Sequence, residues 1–334
     1  MKHQHLAFTS LKHRLKRFHG FKRYKVAPLK YRGSDGFDTS LYVYKTMGRV
    51  LSMKILLLQD RVRWEEKQIM AAAQSRGVNL KPLDAKDVVV DFDFLREVKA
   101  DIALQRCVSH FRGLYLTAAL EAANLRVVNS FATMHVCGDK LLSSIALFKA
   151  GVPSPSFAAT FTVESALKAL TRLNYPAVSK PVVGSHGRLL SLVKDRDAAI
   201  AILEHEEALG SALHRIHYFQ EFIDKPSRDI RIVVVGGKAV AAIYRYAPQG
   251  EWRTNVAIGG TAKPCPLTNE LEGLALKAAK AMNAEVAGVD IMEKGDELLV
   301  NEVNPTVEFR GASLATNVDI AGEIVDYLIR EVKR

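Results

Sequence analysis

Cysteine is scarce in this sequence, and long apolar runs are missing from it. The three cysteines, Cys107, Cys137 and Cys265, lie far apart in a chain of 334 residues, and none forms a CxxC pair. This spacing argues against a disulfide framework and a thiolate zinc site, so we expect a cytoplasmic protein. The apolar stretches are only as long as strands, whereas a helix needs about 20 apolar residues to cross a bilayer. We therefore expect no membrane-spanning helix and no membrane partner.

Acidic residues are rare at the start of the chain, and this asymmetry explains the net charge of +11. Residues 1–52 contain 12 lysines and arginines but only two acids, whereas the rest of the chain contains 35 basic and 34 acidic residues. A basic segment with interleaved aromatic residues is typical of a nucleic-acid or anionic-surface arm, and it loosely resembles a transit peptide. The simpler interpretation, which we favour, is a disordered or non-essential extension before a start at Met53.

Strands and helices alternate from Met53 onward. Three short apolar runs are separated by two helical patterns, in the order 55–58, 64–76, 100–104, 114–123 and 126–128. This alternation is typical of a parallel sheet covered by helices, and it predicts an N-terminal α/β domain over residues 53–135. A central segment, 136–216, begins with a helix over 137–150. The last segment, 217–334, contains two predicted hairpins, 229–246 and 287–300, with glycine in both turns.

A glycine-rich turn follows Lys180. The residues Gly184-Ser185-His186-Gly187-Arg188 lie between two apolar runs, so they predict a hairpin whose tip has little side-chain bulk. Backbone N–H groups at such a tip can approach phosphate oxygens, and the lysine can meet a phosphate as a point charge. The spacing is not GxxxxGK[ST], which argues against a Walker-type loop. An ordinary hairpin with a surface lysine is the alternative.

A second polar group lies between two strands. Glu221 and Phe222 follow an apolar strand, and Asp229 begins the next one. The strand end could hold an adenine edge through backbone contacts, and Asp229 could serve a ribose or a neighbouring cation. A charged loop without a ligand is the alternative, because such loops are common.

Three oxygen-bearing side chains converge on the second hairpin. Glu302 and Asn304 are two residues apart on one predicted strand, so they share a face, and Asp290 lies on its partner strand. Two carboxylates and an amide oxygen are hard ligands that suit Mg²⁺ or Mn²⁺ bound to phosphates. A solvated polar face is the alternative, but the strands around these residues are apolar, and uncompensated buried carboxylates are costly.

Two arginines lie near glycines and could act on an anion. Arg253 precedes Asn255 in a loop bounded by glycines, and Arg310 directly follows the predicted metal strand. Either guanidinium could hold a carboxylate or stabilise a developing phosphoryl charge. For each of them, a surface arginine without a function is the alternative.

Taken in order, these residues resemble the landmarks of the ATP-grasp superfamily, in particular its RimK-like ligases. The matching landmarks are Lys140, Lys180, the loop 184–188, Gln220-Glu221-Phe222-Ile223, Asp229, Arg253-Thr254-Asn255, Asp290, Glu302 and Asn304. The segment 301–311 is similar to the LysX/ArgX ligases, and the resemblance covers 53–334. Those enzymes join an acidic amino acid to the C-terminal glutamate of LysW, a small acidic carrier protein. We also expect a homo-oligomer.

The resemblance implies a fold and a role for each residue. The fold would combine an N-terminal parallel α/β domain, a central α+β lid and a C-terminal antiparallel sheet. ATP would be bound by Lys140, Lys180, Gly184, Ser185, Gly187, Glu221, Phe222 and Asp229, and Mg²⁺, or alternatively Mn²⁺, by Asp290, Glu302 and Asn304. Arg253 and Asn255 would be catalytic. A carboxylate would be phosphorylated, and an amine would attack the acylphosphate.

The same resemblance implies where the amino acid is selected. Arg253, Arg310, Gly311 and Ala312 would contact the substrate, and the last two occupy the positions associated with the choice between glutamate and 2-aminoadipate. In that family Gly-Phe is associated with glutamate, and Asn followed by Thr or Ala with 2-aminoadipate, so Gly311-Ala312 matches neither pair. The alternatives are a RimK-type ligase that adds glutamate to a ribosomal protein and a nonenzymatic nucleotide sensor or nucleic-acid-binding protein that uses residues 1–52.

Overall fold

The computed structural model describes residues 53–184, 189–208, 212–252, 254 and 260–334. Within these ranges, ten α-helices and thirteen strands form a mixed α/β structure with three sheets. The predicted α/β class is confirmed. In the same ranges, every helix is too short or too polar to cross a membrane.

The first sheet is parallel, as the alternation of strands and helices predicts. Its strands pair in the order β2-β1-β3-β4, and they comprise β1 (Lys54–Gln59), β2 (Asn79–Asp84), β3 (Ile102–Gln105) and β4 (Val127–Val128). Three helices connect them: α1 (Trp64–Ser75), α2 (Phe92–Glu97) and α3 (His110–Ala122). β1 is almost wholly buried, because both faces of a parallel sheet are covered.

The predicted helix over 137–150 is wrong in one respect, because it is two helices. α4 (Phe131–Gly138) ends where α5 (Lys140–Lys149) begins. Asp139 separates them in an extended conformation, with φ −118° and ψ 120°, and its carboxylate accepts a hydrogen bond from the Leu142 amide at 2.9 Å. An N-cap aspartate of this kind favours a new helix start over a continued helix.

The second sheet is antiparallel and has the order β5-β8-β6-β7. It comprises β5 (Phe157–Thr160), β6 (Ala177–Pro181), β7 (Ser191–Val193) and β8 (His217–Glu221), and α6 (Val163–Leu173) and α7 (Arg196–Ala208) pack on it. The predicted hairpin around the glycine turn is confirmed, since β6 pairs with β7. Because β8 belongs to this sheet, the sheet extends past residue 216, where the sequence analysis ended the central segment.

The third sheet is also antiparallel and has the order β11-β10-β9-β12-β13. It comprises β9 (Arg228–Val235), β10 (Lys238–Tyr246), β11 (Thr261–Pro264), β12 (Val286–Lys294) and β13 (Glu297–Asn304). Both predicted hairpins are confirmed. Gly236 and Gly237 join β9 to β10 with φ of +56° and +76°, a left-handed turn that glycine adopts without strain.

The two faces of the third sheet pack against different partners. On one face, Ile230, Ile232 and Val234 of β9 pack with α8 (Asn269–Ala281). On the other face, Val233 and Val235 join a core that includes β1, α1, α9 (Arg310–Thr316) and α10 (Ile320–Val332). This second face becomes polar towards one end of the sheet, and the candidate site lies there.

Candidate active site

A β-bulge shapes the end of β13. Asp290 pairs with Glu302, but its neighbour Ile291 pairs with Val300, so Asn301 is an extra residue in β13. Val300 and Val303 are both buried in the core beneath α8, and the two residues between them therefore face the opposite side. The bulge thus adds Asn301 to the face that already carries Glu302.

The predicted metal trio is brought together. Asp290 and Glu302 are cross-strand partners, and Asn304 Nδ2 lies 3.1 Å from Glu302 Oε1 and 3.4 Å from Asp290 Oδ2. An amide nitrogen that bridges two carboxylates stands where a cation would bind, and a half-turn of the amide presents its oxygen instead. Two carboxylates and one amide oxygen then form a hard-ligand set, so these residues fit Mg²⁺.

Two arginines neutralise the buried carboxylate of Asp290. Arg231 Nε and Nη2 donate to the two oxygens of Asp290, each at 2.7 Å, and Arg245 Nη2 lies 3.0 Å from Asp290 Oδ2. Burial alone would raise the pKa of Asp290, but the charges of Arg231 and Arg245 outweigh it and hold that pKa well below its usual range. Asp290 is therefore ionised, and the two arginines balance its charge.

Asp229 is held in a network of its own. Its carboxylate accepts two hydrogen bonds from Arg245, each at 2.7 Å, and one from Thr254, and Lys225 Nζ lies 3.8 Å away. Its side chain and that of Arg245 are nearly inaccessible to solvent. Asp229 therefore fixes Arg245 beside Asp290. The contact of Asp229 with nucleotide stays a prediction.

The two predicted phosphate lysines approach the trio from different elements. Lys140 begins α5, and its Nζ donates to the Gly184 carbonyl at 3.0 Å. Lys180 lies on β6, and its Nζ donates to Gln220 and, at 3.1 Å, to Asn301. Burial lowers the pKa of Lys180 to about 8, against the opposing charge of Glu302. Burial also lowers the pKa of Lys140.

The predicted adenine edge lies at the end of β8. Glu221 ends the strand and forms an ion pair with Lys294, and Phe222 follows it. The ring of Phe222 packs edge-to-face against Trp252, with centroids 6.1 Å apart. Trp252 therefore adds an aromatic side chain to this part of the site. The predicted loop residues Ser185 and Gly187 lie outside the described residues.

Two cavities meet at these side chains. The larger has a volume of about 900 Å³, and Arg231, Arg310 and Gly311 are among the residues that line it. The smaller has a volume of about 380 Å³ and is lined by Phe222, Trp252 and other side chains. Both are lined by a common set that we call the shared wall: Lys180, Leu190, Gln220, Arg245, Asn301 and Glu302. Groups bound in the two cavities would therefore meet at cationic and carboxylate side chains.

The predicted substrate residues differ in their access to the larger cavity. Gly311 is the second residue of α9. A Cβ atom added there would meet only Ala262 Cβ, at an ordinary contact distance of 3.6 Å. Ala312 is 1% exposed and packs in the core shared by the first and third sheets. Both residues line the larger cavity, but only position 311 has room for a larger side chain, because Ala312 is already packed in the core. Arg253 and Asn255 lie outside the described residues.

Sequence reasoning missed four residues of this site. The position of Asn301 depends on a bulge that sequence periodicity does not reveal. Arg231 on β9 pairs with Asp290, and Arg245 on β10 pairs with Asp229, two residues before Arg231. Because strand side chains alternate between faces, both arginines face the same side as Asp290. That alternation was the available signal. Trp252 adjoins the arginine loop, but nothing in its sequence neighbourhood indicates a cavity.

Comparison with known proteins places this geometry in a family. The family model of the RimK-like ATP-grasp domain matches residues 137–328, and that of the LysX preATP-grasp domain matches residues 55–136. The glutamate–LysW ligase ArgX of Sulfolobus acidocaldarius is 35% identical over 277 residues, which cover 83% of this chain and 98% of that protein. The α-aminoadipate–LysW ligase LysX of the same organism is 34% identical over 277 residues, covering 82% and 100%.

Solved structures agree on the fold. A RimK domain ATP-grasp protein from Sphaerobacter thermophilus superposes with a TM-score of 0.68 at 27% identity, covering 82% of this chain and 98% of that one. The ATP-grasp ligase PsnB, solved with Mg and ADP, gives a TM-score of 0.64 at 18% identity, covering 84% and 99%. The ATP-grasp fold predicted from the sequence is confirmed. The chain belongs to the RimK-like ATP-grasp family, near its LysX and ArgX members, and is a ligase that uses ATP and magnesium to form carbon–nitrogen bonds.

Proposed function

We propose that this enzyme joins the amino group of glutamate or 2-aminoadipate to the C-terminal glutamate of a small acidic LysW-type carrier protein. The reaction would serve arginine or lysine biosynthesis. The observation that carries the proposal is the shared wall, because a nucleotide bound in the smaller cavity and a carboxylate bound in the larger one would meet there, at Lys180, Arg245 and Glu302. The relatives named above act with LysW, and their matches cover nearly their whole length.

The described residues suit the two chemical steps. Lys140 and Lys180 hold the phosphates of ATP, and Phe222 and Trp252 contact its base. Magnesium held by Asp290, Glu302 and Asn304 would offset the charge of the transferred phosphoryl group. The carboxylate oxygen of the carrier attacks the γ-phosphorus, which releases ADP and leaves an acylphosphate. The amine of the amino acid then attacks the acyl carbon, loses a proton and releases phosphate.

The finer parts of the proposal concern the metal and the assembly. We propose that the site also accepts Mn²⁺ as an alternative to Mg²⁺, because all three ligands are hard oxygen atoms that suit either ion. Arg253 and Asn255 would act on the reacting groups, and Arg310 would hold a substrate carboxylate. We also propose that the enzyme works in the cytoplasm as a homo-oligomer, which light scattering on the purified protein would test.

The test is ligation read by intact mass. The protein is incubated with ATP, Mg²⁺, a LysW-type carrier and either amino acid, and we expect the carrier to gain the mass of one residue of that amino acid. A carrier without its C-terminal glutamate and the Glu302→Gln enzyme are the negative controls. Modification of a ribosomal protein C-terminus, with none of the carrier, would contradict the proposal and favour a RimK-type activity. Nucleic-acid binding by residues 1–52 is a separate proposal, to be tested by salt-dependent binding.

A further inference from the structure

Asp290 and Arg231 form an ion pair that spans the two cavities. Asp290 lines the smaller cavity, where it faces Glu302, and Arg231 lines the larger one. The guanidinium of Arg231 donates to both carboxylate oxygens at 2.7 Å, so it occupies the same oxygens that a metal ion would use. One carboxylate thus has two competing cationic partners, Arg231 and the metal ion that Asp290, Glu302 and Asn304 would hold.

The two arginines around Asp290 differ in their freedom to move. Arg245 donates two hydrogen bonds to the Asp229 carboxylate, and its side chain is only 5% exposed. The side chain of Arg231 is 14% exposed, and the ion pair that holds it is the one with Asp290. When a divalent cation takes the oxygens of Asp290, Arg231 loses this partner and is repelled by the cation. Arg245 remains in place, because Asp229 still holds it.

We propose that Arg231 is an exchangeable counter-ion that leaves Asp290 when metal and nucleotide bind and then holds the acceptor carboxylate in the larger cavity. This inference rests on the proposed function only for the identity of the carboxylate. A guanidinium binds a carboxylate through two parallel hydrogen bonds, which is the geometry Arg231 already makes with Asp290. The acceptor carboxylate therefore takes the place of the Asp290 carboxylate on Arg231, and Arg231 makes the same kind of contact with both.

The exchange has two consequences of opposite sign. Arg231 competes with the metal, so removing its guanidinium tightens metal binding. Arg231 also binds the acceptor, so removing it abolishes the gain in acceptor affinity that metal and nucleotide otherwise produce. Coupling between two sites is reciprocal, and it typically amounts to about 5–150-fold in affinity. A merely structural arginine would change both affinities in the same direction.

The first measurement is metal binding. Free Mn²⁺ is followed by electron paramagnetic resonance in titrations of the full-length enzyme with saturating ADP. We expect Arg231→Gln to bind Mn²⁺ about fivefold or more tightly than the wild type, in line with the usual size of coupling. Arg228→Gln is the matched control, since Arg228 lies on the same strand, pairs with Glu293 at 2.7 and 2.8 Å, and lines neither cavity. Unchanged or weaker Mn²⁺ binding by folded Arg231→Gln would overturn the exchange.

The second measurement is acceptor binding. A peptide with the carrier's C-terminal sequence is titrated by calorimetry, with and without Mg²⁺ and a nonhydrolysable ATP analogue. We expect Mg²⁺ and the analogue to raise the affinity of the wild type for the peptide about tenfold, and to leave the affinity of Arg231→Gln unchanged. An equal rise in both enzymes would contradict the proposal. Arg231→Lys, which keeps the charge but not the paired donors, gives intermediate values and serves if Arg231→Gln fails to fold.

The two measurements separate this inference from the proposed function. Mn²⁺ titration needs no acceptor, so its result decides the competition at Asp290 even where the carrier is not a substrate. If ligation to the carrier fails while Arg231→Gln still tightens Mn²⁺ binding, the acceptor is wrong and the exchange at Asp290 stands.

Discussion

Lys180 Nζ donates a hydrogen bond to Asn301 Oδ1 across 3.1 Å, and Asn301 is the extra residue of the bulge in β13. The bulge therefore places an uncharged acceptor where regular pairing would turn the side chain of residue 301 towards the opposite face. Gln220 accepts a second hydrogen bond from the same ammonium group. Two neutral acceptors orient the lysine without neutralising it, so its charge stays available for a phosphate.

We expect Asn301→Ala to weaken ATP binding. A hydrogen bond to a charged group contributes about 1.5–3 kcal/mol, so the KM for ATP should rise about tenfold or more. Steady-state kinetics with the other substrates saturating provide the measurement. Lys180 donates to both Asn301 and Gln220, so a normal KM for ATP in the folded variant would show that Gln220 alone orients the lysine.

The lowered pKa of Lys180 predicts a pH dependence of nucleotide binding. We propose that the protonated lysine binds phosphate. Because burial lowers its pKa to about 8, the ADP association constant should fall as pH rises through about 8. Asn301→Asp adds a negative charge beside the ammonium group, which raises its pKa and moves this fall to higher pH. Isothermal titration of ADP at several pH values tests both statements, and identical profiles for the two proteins would contradict them.

Changes to the metal trio should separate turnover from stability. Asp290→Asn and Glu302→Gln should each lower ATP-dependent turnover about 100-fold or more, since metal stabilisation of the transition state amounts to several kcal/mol. Asn304→Ala should have a smaller effect, because no charge is lost. Asp290→Asn should also cost about 3 kcal/mol of stability, since it breaks a buried ion pair with Arg231.

Glu302 is only partly buried, and Glu302→Gln should change the free energy of unfolding by about 1 kcal/mol or less. Urea denaturation and single-turnover kinetics on the same preparations supply the comparison. Full turnover in folded Asp290→Asn would reject the proposed metal site.

Gly311 and Ala312 should respond differently to larger side chains. Gly311→Asn adds an amide beside the larger cavity, and we expect it to raise the kcat/KM ratio of 2-aminoadipate to glutamate about tenfold. Ala312→Phe should instead lose about 1–3 kcal/mol of stability, because the side chain at 312 is buried in the core. Melting temperatures and both kcat/KM values distinguish the two outcomes. A stable Ala312→Phe enzyme with altered substrate preference would contradict this assignment.

Trp252 should report on the nucleotide base. The chain contains two tryptophans, Trp64 and Trp252, and only the second lines the smaller cavity. In Trp64→Phe, we expect ADP to change the intrinsic fluorescence, because an aromatic ring beside Phe222 would contact the base. Inorganic tripolyphosphate is the control, and it should leave the fluorescence nearly unchanged. An equal response to both ligands would show that Trp252 senses phosphate and not the base.

The metal trio was predictable because it follows from local pattern. A glycine turn set the register of the last hairpin, and the two-residue period of a strand put Glu302 and Asn304 on one face. The bulge preserves this result, since both residues lie after Asn301. The same period would have turned Asn301 away from the site, so its contact with Lys180 required the structure.

The counter-ions were harder to predict because they come from other strands. Arg231 and Arg245 are about 60 and 45 residues before Asp290, and their contacts depend on the order β10-β9-β12. Strand order in an antiparallel sheet is not contained in local periodicity. Similarly, the burial of Ala312 follows from packing against the first sheet, which no short-range pattern indicates.

The shared wall also divides the sequence into positions that can drift and positions that cannot. A substitution at Lys180, Arg245 or Glu302 alters the lining of both cavities at once, so under the proposed function a change that suits a new acceptor would also disturb nucleotide binding. Gly311 lines the larger cavity but not the smaller one, and it has room for a side chain. Under the proposed function, a change at Gly311 would therefore alter the choice of amino acid and leave the side chains that line both cavities unchanged.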